Sequence, residues 1–390
     1  MIELRRKIGT EIAERGPIPF SRYMELCLYD SELGYYSRNA AQFGKAGDFY
    51  TSSDVHAVFG RLLARQFEEM WRVLGSPKRI TIRELGPGKG LLARDVLDWS
   101  EKTFPEFFGA LRYELVEQSP ALRQRLEETL ERDIKSGRVT VAGSTGNAHS
   151  YGESIGATDV GALPTTPGDP TIVFANEFFD ALPVEIVSDL GALRVAFRDD
   201  RFVETWFSAS PQELEFLDRF SVLPEQGERV EVSFHAQQEM SQACGIERGF
   251  VVVIDYGYTR DEQLAGRHRG TVKAIRQHSV TADPYQAPGE QDITADVNFT
   301  ALAAIAERRA FYVQKLITQS QFLMGIGEAN QFADAFEECR LPQEWAKVAL
   351  QLKHLITPAG MGESFHVLVA SKGVDMEKVS ALAGLSFARR

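Results

Sequence analysis

The stretch Ile82-Arg83-Glu84-Leu85-Gly86-Pro87-Gly88-Lys89-Gly90-Leu91 decides how this chain is read: a short apolar strand runs into a glycine-dense turn that opens a helix. Glycine at Gly86, Gly88 and Gly90 lets the backbone turn tightly and approach a ligand closely. Leu91, Leu92, Val96 and Trp99 then recur at helical spacing. The pattern predicts a small polar ligand lying over the turn.

Spacing separates the ligand classes that use such turns. A phosphate-binding Walker loop places four residues between its first glycine and a Gly-Lys-Ser/Thr, but Arg83 holds that first place and Gly90 replaces the hydroxyl residue. The dinucleotide fingerprint is G-x-G-x-x-G, whereas this turn is G-x-G-x-G preceded by Glu84, the form used by S-adenosylmethionine (SAM) methyltransferases. A carboxylate at Glu84 suits a cationic ligand better than a pyrophosphate.

Downstream, a second strand is expected over 111–117, ending in the acid Glu117, with Ser119 capping and Pro120 starting the next helix. A carboxylate at that strand end can accept both hydroxyls of a ribose. A third strand is expected near 139–141, followed by a Gly/Ser/Thr/Pro-rich loop to residue 170. The buried run Thr171-Ile172-Val173-Phe174-Ala175 then delivers Asn176-Glu177-Phe178-Phe179-Asp180-Ala181-Leu182-Pro183-Val184 to its carboxyl end, the edge at which open α/β sheets bind ligands. A carboxylate such as Glu177 can hold a guanidinium bidentately and accept the proton it loses on methylation. Asn176 and Asp180 are candidates for the same site, although capping a helix explains either of them.

Further along, a hairpin is expected over 193–207 turning at Asp199-Asp200, then part of a helix over 237–244, which together mark an insertion at 188–248. Phe250-Val251-Val252-Val253-Ile254-Asp255-Tyr256-Gly257 resumes the sheet. Asp296 or Asn298 caps a helix, strands are expected at 311–317 and 365–370, and helices between them. Upstream of the glycine turn, Ile2, Leu4, Ile8 and Ile12 form one helix face, Ser21 is placed to cap a second helix through Tyr29, and a long amphipathic helix is expected over 55–70. The loop from Phe43 to Ser53 carries Asp48, Tyr50, Thr51 and Ser53, placed to close over the ligand as a lid. His268 and His278 sit among Arg269 and Arg276 without metal-like spacing, and Asp292 and Asp296 are ambiguous between capping and function.

Composition bounds these readings. The chain has 390 residues and a formal net charge of −12, which argues against nucleic acid and favours a basic, arginine-bearing protein as partner. No run approaches the roughly 18 apolar residues of a membrane span. Cys27, Cys244 and Cys339 lie far apart, without disulfide or zinc spacing. Glu3, Glu11 and Glu14 interrupt the first twenty residues, which lack a hydrophobic segment, so a cytoplasmic location is expected.

Gly16-Pro17-Ile18, Leu33-Gly34-Tyr35-Tyr36, Gly47-Asp48-Phe49 with Thr51-Ser52, the Glu84 to Gly90 turn, Asn176 to Val184, Asp255-Tyr256-Gly257 and Asp292-Ile293-Thr294-Ala295-Asp296-Val297 together resemble, in order, the MidA-like SAM-dependent methyltransferases. The likeness covers nearly the whole chain. It implies a class I methyltransferase fold, a Rossmann-like, seven-stranded, mostly parallel sheet with its last strand antiparallel. The organisation expected is an N-terminal helical layer and lid over 1–75, a SAM-binding core over 76–187 and 249–390, and an inserted substrate-side subdomain over 188–248. The implied cofactor is SAM, bound at Glu84, Gly86, Gly88, Gly90 and Glu117 with Asp48 and Thr51 of the lid. The implied activity is arginine methylation on a partner protein, a respiratory complex I subunit being the substrate of the mitochondrial members. A SAM-binding assembly factor and a small-molecule methyltransferase are the alternatives, and Asn298, where the family pattern has an acid, bears on substrate choice.

Overall fold

The computed structural model describes residues 2–38, 57–143, 168–276, 279–281 and 283–389. The lid stretch with Asp48, Tyr50, Thr51 and Ser53, most of the 143–170 loop and His278 lie outside the described residues.

A nine-stranded sheet forms the centre, its path running Tyr312–Val313, Phe365–Lys372, Gly249–Tyr258, Thr171–Asn176, Ile80–Leu85, Leu111–Val116 and Val139–Ala142. The short strands Val297–Asn298 and Ile317–Thr318 pair beside this path. Nine strands rather than seven arise partly because the single strand expected at 311–317 divides into two two-residue pieces around Gln314, Lys315 and Leu316. From Val139–Ala142 across to Gly249–Tyr258 the neighbours of the path are parallel, while Phe365–Lys372 is antiparallel to its partners.

Side chains alternate between the sheet's faces, and both faces are covered, as a parallel sheet requires. On one face Ile82, Phe174 and Val252 pack with Phe59 and Phe67 of helix Ala57–Val73 and with Val96 of helix Leu91–Thr103. On the other, Val173, Val251 and Val253 pack with Met240 of helix Phe234–Ala243 and with Leu302 and Ile305 of helix Phe299–Arg308.

The chain runs outward from Ile80–Leu85 to the strands at 111 and 139, then returns to pair on the opposite side of Ile80–Leu85 with Thr171–Asn176. This reversal puts a crevice at the carboxyl ends of two adjacent strands. One strand ends at the glycine turn and the other at Asn176-Glu177.

A second, antiparallel five-stranded sheet joins Ile18–Pro19 to Glu185–Ser188, Gly191–Arg198, Arg201–Phe207 and Arg229–Val232. The hairpin turns at Asp199 and Asp200, whose φ of 49° and 59° match a two-residue type I′ turn. A third apolar cluster unites Leu4, Ile8, Tyr23 and Met24 from the N-terminal helices with Ile186, Leu193, Phe202 and Ile293. Ser21 does not cap a helix: Phe20–Tyr29 starts after Pro19, and the Ser21 hydroxyl donates to Glu185 Oε1 at 2.6 Å. Among the described residues no helix is long and apolar enough to cross a membrane.

Candidate active site

Gly86, Gly88 and Gly90 all take positive φ, at 61°, 54° and 73°, so the alternating glycines answer a backbone requirement. A Cβ at Gly86 would stand 2.7 Å from the Phe178 ring, and one at Gly90 2.8 Å from Leu126, so these two also answer to packing. Among the described residues a Cβ at Gly88 would meet nothing within 4 Å. The backbone at Gly88 is open to close approach on the side of the described residues.

Glu117 lies just past the neighbouring strand, and its Oε1 accepts the Ser119 amide at 2.8 Å. Burial pushes its carboxyl up to about 7, against the pull of the amides of Ser119, Gln118 and Gly88. Ser119 caps helix Pro120–Thr129 through Leu122 N, with Pro120 at its start. Glu84 lies on the strand that leads into the turn. It is only 4% exposed and accepts the Tyr113 hydroxyl at 2.7 Å, and burial raises it to about 7. This bond ties it to the neighbouring strand Leu111–Val116.

The acceptor-side turn follows Thr171–Asn176. Glu177 has φ of 50°, a left-handed backbone that costs a non-glycine residue about 1–3 kcal/mol. Its amide donates to Ile254 O at 3.0 Å, and its Oε1 accepts Asn176 Nδ2 at 3.1 Å. Residues 177–184 form bends and turns without a helix, so neither Asn176 nor Asp180 is a helix cap. Among the described residues, Asn176 Oδ1 and Asp180 Oδ1 are instead buried without a hydrogen-bond partner. Asp180 Oδ2 accepts the Tyr256 hydroxyl at 2.6 Å, and the Asp180 carbonyl accepts Ala295 N at 2.9 Å. Burial lifts Asp180 to about 6 despite that hydroxyl bond.

Two residues outside the sequence-based site candidates, Asp255 and Tyr256, belong to this turn. Asp255 Oδ2 accepts the amides of Phe178, Phe179 and Asp180 at 3.2, 3.0 and 3.3 Å. The available signal was a lone acid near the carboxyl end of a strand that is otherwise apolar.

Asp292 is buried and accepts the Tyr36 hydroxyl at 3.1 Å. Asp296 does not cap the following helix. Asn298 does, accepting Ala301 N at 3.0 Å, while Asp296 lies 2.9 Å from His268 Nδ1 and 3.2 Å from Lys273 Nζ. The described residues include no group of three or more His, Cys, Asp or Glu able to hold a metal ion.

Residues 62–316 match the profile of the S-adenosyl-L-methionine-dependent methyltransferase family. "Protein arginine methyltransferase NDUFAF7 homolog, mitochondrial" of Drosophila melanogaster is 30% identical over 95% of this chain and 85% of its own length. The human "Protein arginine methyltransferase NDUFAF7, mitochondrial" is 28% identical over 93% of this chain and 81% of its own. The crystal structure of a COG1565 superfamily member from Burkholderia thailandensis, bound to S-adenosyl-homocysteine, superposes with a TM-score of 0.81 at 28% identity, covering 98% of this chain and 94% of that one. These relatives overturn the cytoplasmic expectation, because the curated proteins that match along most of the chain are mitochondrial. The acids in the first twenty residues were too weak a basis for a location.

Proposed function

The chain belongs to the S-adenosyl-L-methionine-dependent methyltransferase family, and on that premise we propose that it methylates an arginine side chain of a partner protein. Its relatives named as arginine methyltransferases support the substrate class. A respiratory complex I subunit is the partner suggested by the family resemblance.

The observation that carries the reading is the pairing of two edges at the strand reversal: a glycine turn open above Gly88 and, on the adjacent strand, a carboxylate held in a left-handed backbone at Glu177. The residues present fit the cofactor. Gly88 leaves room for its close approach, and Glu117, whose buried carboxylate already accepts the Ser119 amide, would receive the ribose hydroxyls. Gly86 and Gly90 shape the turn, and Glu84 supports it from below.

Bound SAM supplies a methyl group on a positively charged sulfur. The chain's own part is alignment and proton handling. Glu177 would hold the guanidinium and take up the proton that its nitrogen loses as the new N–C bond replaces the sulfur–methyl bond and a neutral thioether departs. Asn176 steadies the Glu177 carboxylate through Oε1, and Asp180 fixes the turn that follows through its bond to the Tyr256 hydroxyl. The N-terminal layer 1–75 and the insertion 188–248 would form the acceptor-facing side of the core 76–187 and 249–390.

The test begins with mass spectrometry of arginine methylation in cells with and without this protein, which should reveal a site modified only in its presence. Methylation of that site by the purified protein completes the assignment. A dependent modification on another residue type would refute the arginine reading and leave the methyltransferase assignment standing.

A further inference from the structure

We infer that Asp255 is a positioning residue for methyl transfer: its buried carboxylate clamps the Phe178–Asp180 backbone and thereby sets the direction of Glu177. The inference rests on the reading of Glu177 given above.

Glu177 is held from both sides by one neighbouring strand. On its N-terminal side its own amide donates to the Ile254 carbonyl at 3.0 Å. On its C-terminal side the next three amides converge on Asp255 Oδ2. Ile254 and Asp255 are consecutive in Gly249–Tyr258, so parallel pairing with Thr171–Asn176 sets the spacing of the two clamps. Between them Glu177 adopts φ of 50°, a conformation that persists only when its surroundings over-determine it.

Stability is a poor reason for this acid. Asp255 is fully buried. Burial and the charges of Asp180 and Glu177 all oppose its ionisation, and only amides favour it. Its other oxygen accepts the Tyr256 amide at 2.9 Å, so both oxygens are committed to backbone and none faces a substrate. An asparagine of the same shape would present its NH2 to one of these donors, losing that bond and weakening the rest.

The experiment is a double-mutant cycle on Asp255→Asn and Glu177→Gln, reading methyl incorporation from radiolabelled SAM into a lysate of cells lacking the protein. S-adenosyl-homocysteine affinity and melting temperature are measured alongside. Glu177→Gln should lose about 10²-fold in rate and Asp255→Asn about tenfold, with S-adenosyl-homocysteine affinity within about twofold of wild type for both. The double variant should be no slower than Glu177→Gln alone, because Asp255 acts through Glu177. If Asp255→Asn does not fold, Asp255→Ser, which keeps one oxygen acceptor, takes its place in the same cycle.

Multiplying losses in the double variant, or full activity with either substitution at Asp255, would overturn the positioning role while Glu177 kept its own. Normal turnover by Glu177→Gln would instead remove the Glu177 reading and the inference built on it.

Discussion

The cofactor edge and the acceptor edge lie side by side at one strand reversal, yet they are built differently. At the cofactor edge the partners are close in sequence or on the neighbouring strand: Gly90 N bonds Pro87 O, Glu117 bonds Ser119 N, and Gly86 N bonds Val116 O. At the acceptor edge Glu177 and the turn after it depend on Ile254, Asp255, Tyr256 and Ala295, residues about 75 to 115 positions away. A locally determined turn can bind a cofactor common to many enzymes. The long-range turn is where a particular acceptor is chosen, and each of its contacts is open to change by a different segment. The Phe178 ring against Gly86 is the point where the two edges touch.

If the division of labour is real, the largest effect should fall on turnover alone. Glu177→Gln keeps the shape of the side chain but removes the charge, and methyl transfer to the identified site should fall by about 10²-fold, within the usual range for a general base. Calorimetry with S-adenosyl-homocysteine should meanwhile give a wild-type affinity. A parallel loss of affinity would erase the separation of the edges.

Next in size is Tyr256→Phe, which takes the hydroxyl from Asp180 and leaves a buried carboxylate with neither oxygen served by a side chain. Urea denaturation should show a loss of about 2 kcal/mol, the cost of an unsatisfied buried acceptor. Unchanged stability would mean that the acceptor turn is held by its backbone alone.

Gly88→Val probes the other edge. A branched residue at φ of 54° is strained, and its side chain would enter the open approach, so S-adenosyl-homocysteine affinity should fall by at least about tenfold. Wild-type affinity in a folded variant would place the cofactor elsewhere.

The smallest expected effect lies outside both edges. Burial pushes Glu231 up to about 7 from 4.5, against the amides of Thr271 and Val272. The native state thus binds more protons than the unfolded chain over that window, and this contribution is lost as pH rises through about 7. Glu231→Gln should narrow the difference in melting temperature between about pH 5.5 and pH 8 by about 2 °C. Glu84 and Glu117 titrate in the same direction, and saturating S-adenosyl-homocysteine should alter only the contribution of the cofactor edge. An unchanged difference in the variant would show that the Glu231 carboxyl titrates alike in both states.

Much of the core could be read from periodicity because burial on two faces leaves unbroken apolar runs, as in Thr171–Asn176 and Gly249–Tyr258. Short pieces were harder. Ile18–Pro19 and Val297–Asn298 are two-residue strands whose existence depends on a partner strand. The helix Pro211–Phe220, with its Ser210 capping box, carried a readable start signal that the insertion's mixed pattern obscured. Capping chemistry misled at Ser21 and was only one of the readings open at Asn176, Asp180 and Asp296, because an oxygen that can cap a helix can as easily bond a distant partner.

The sequence by itself determined the glycine turn and the acid that ends the next strand, since left-handed backbone and strand-end position are local properties of Gly86 to Gly90 and of Glu117. Only the tertiary structure decided that Glu84 accepts the Tyr113 hydroxyl, that Glu177 stands beside the glycine turn, and that Asp255 gathers the amides after it. Those facts follow from strand order and register, which bring residues far apart in the chain within hydrogen-bond reach, and no local pattern encodes a distance between them.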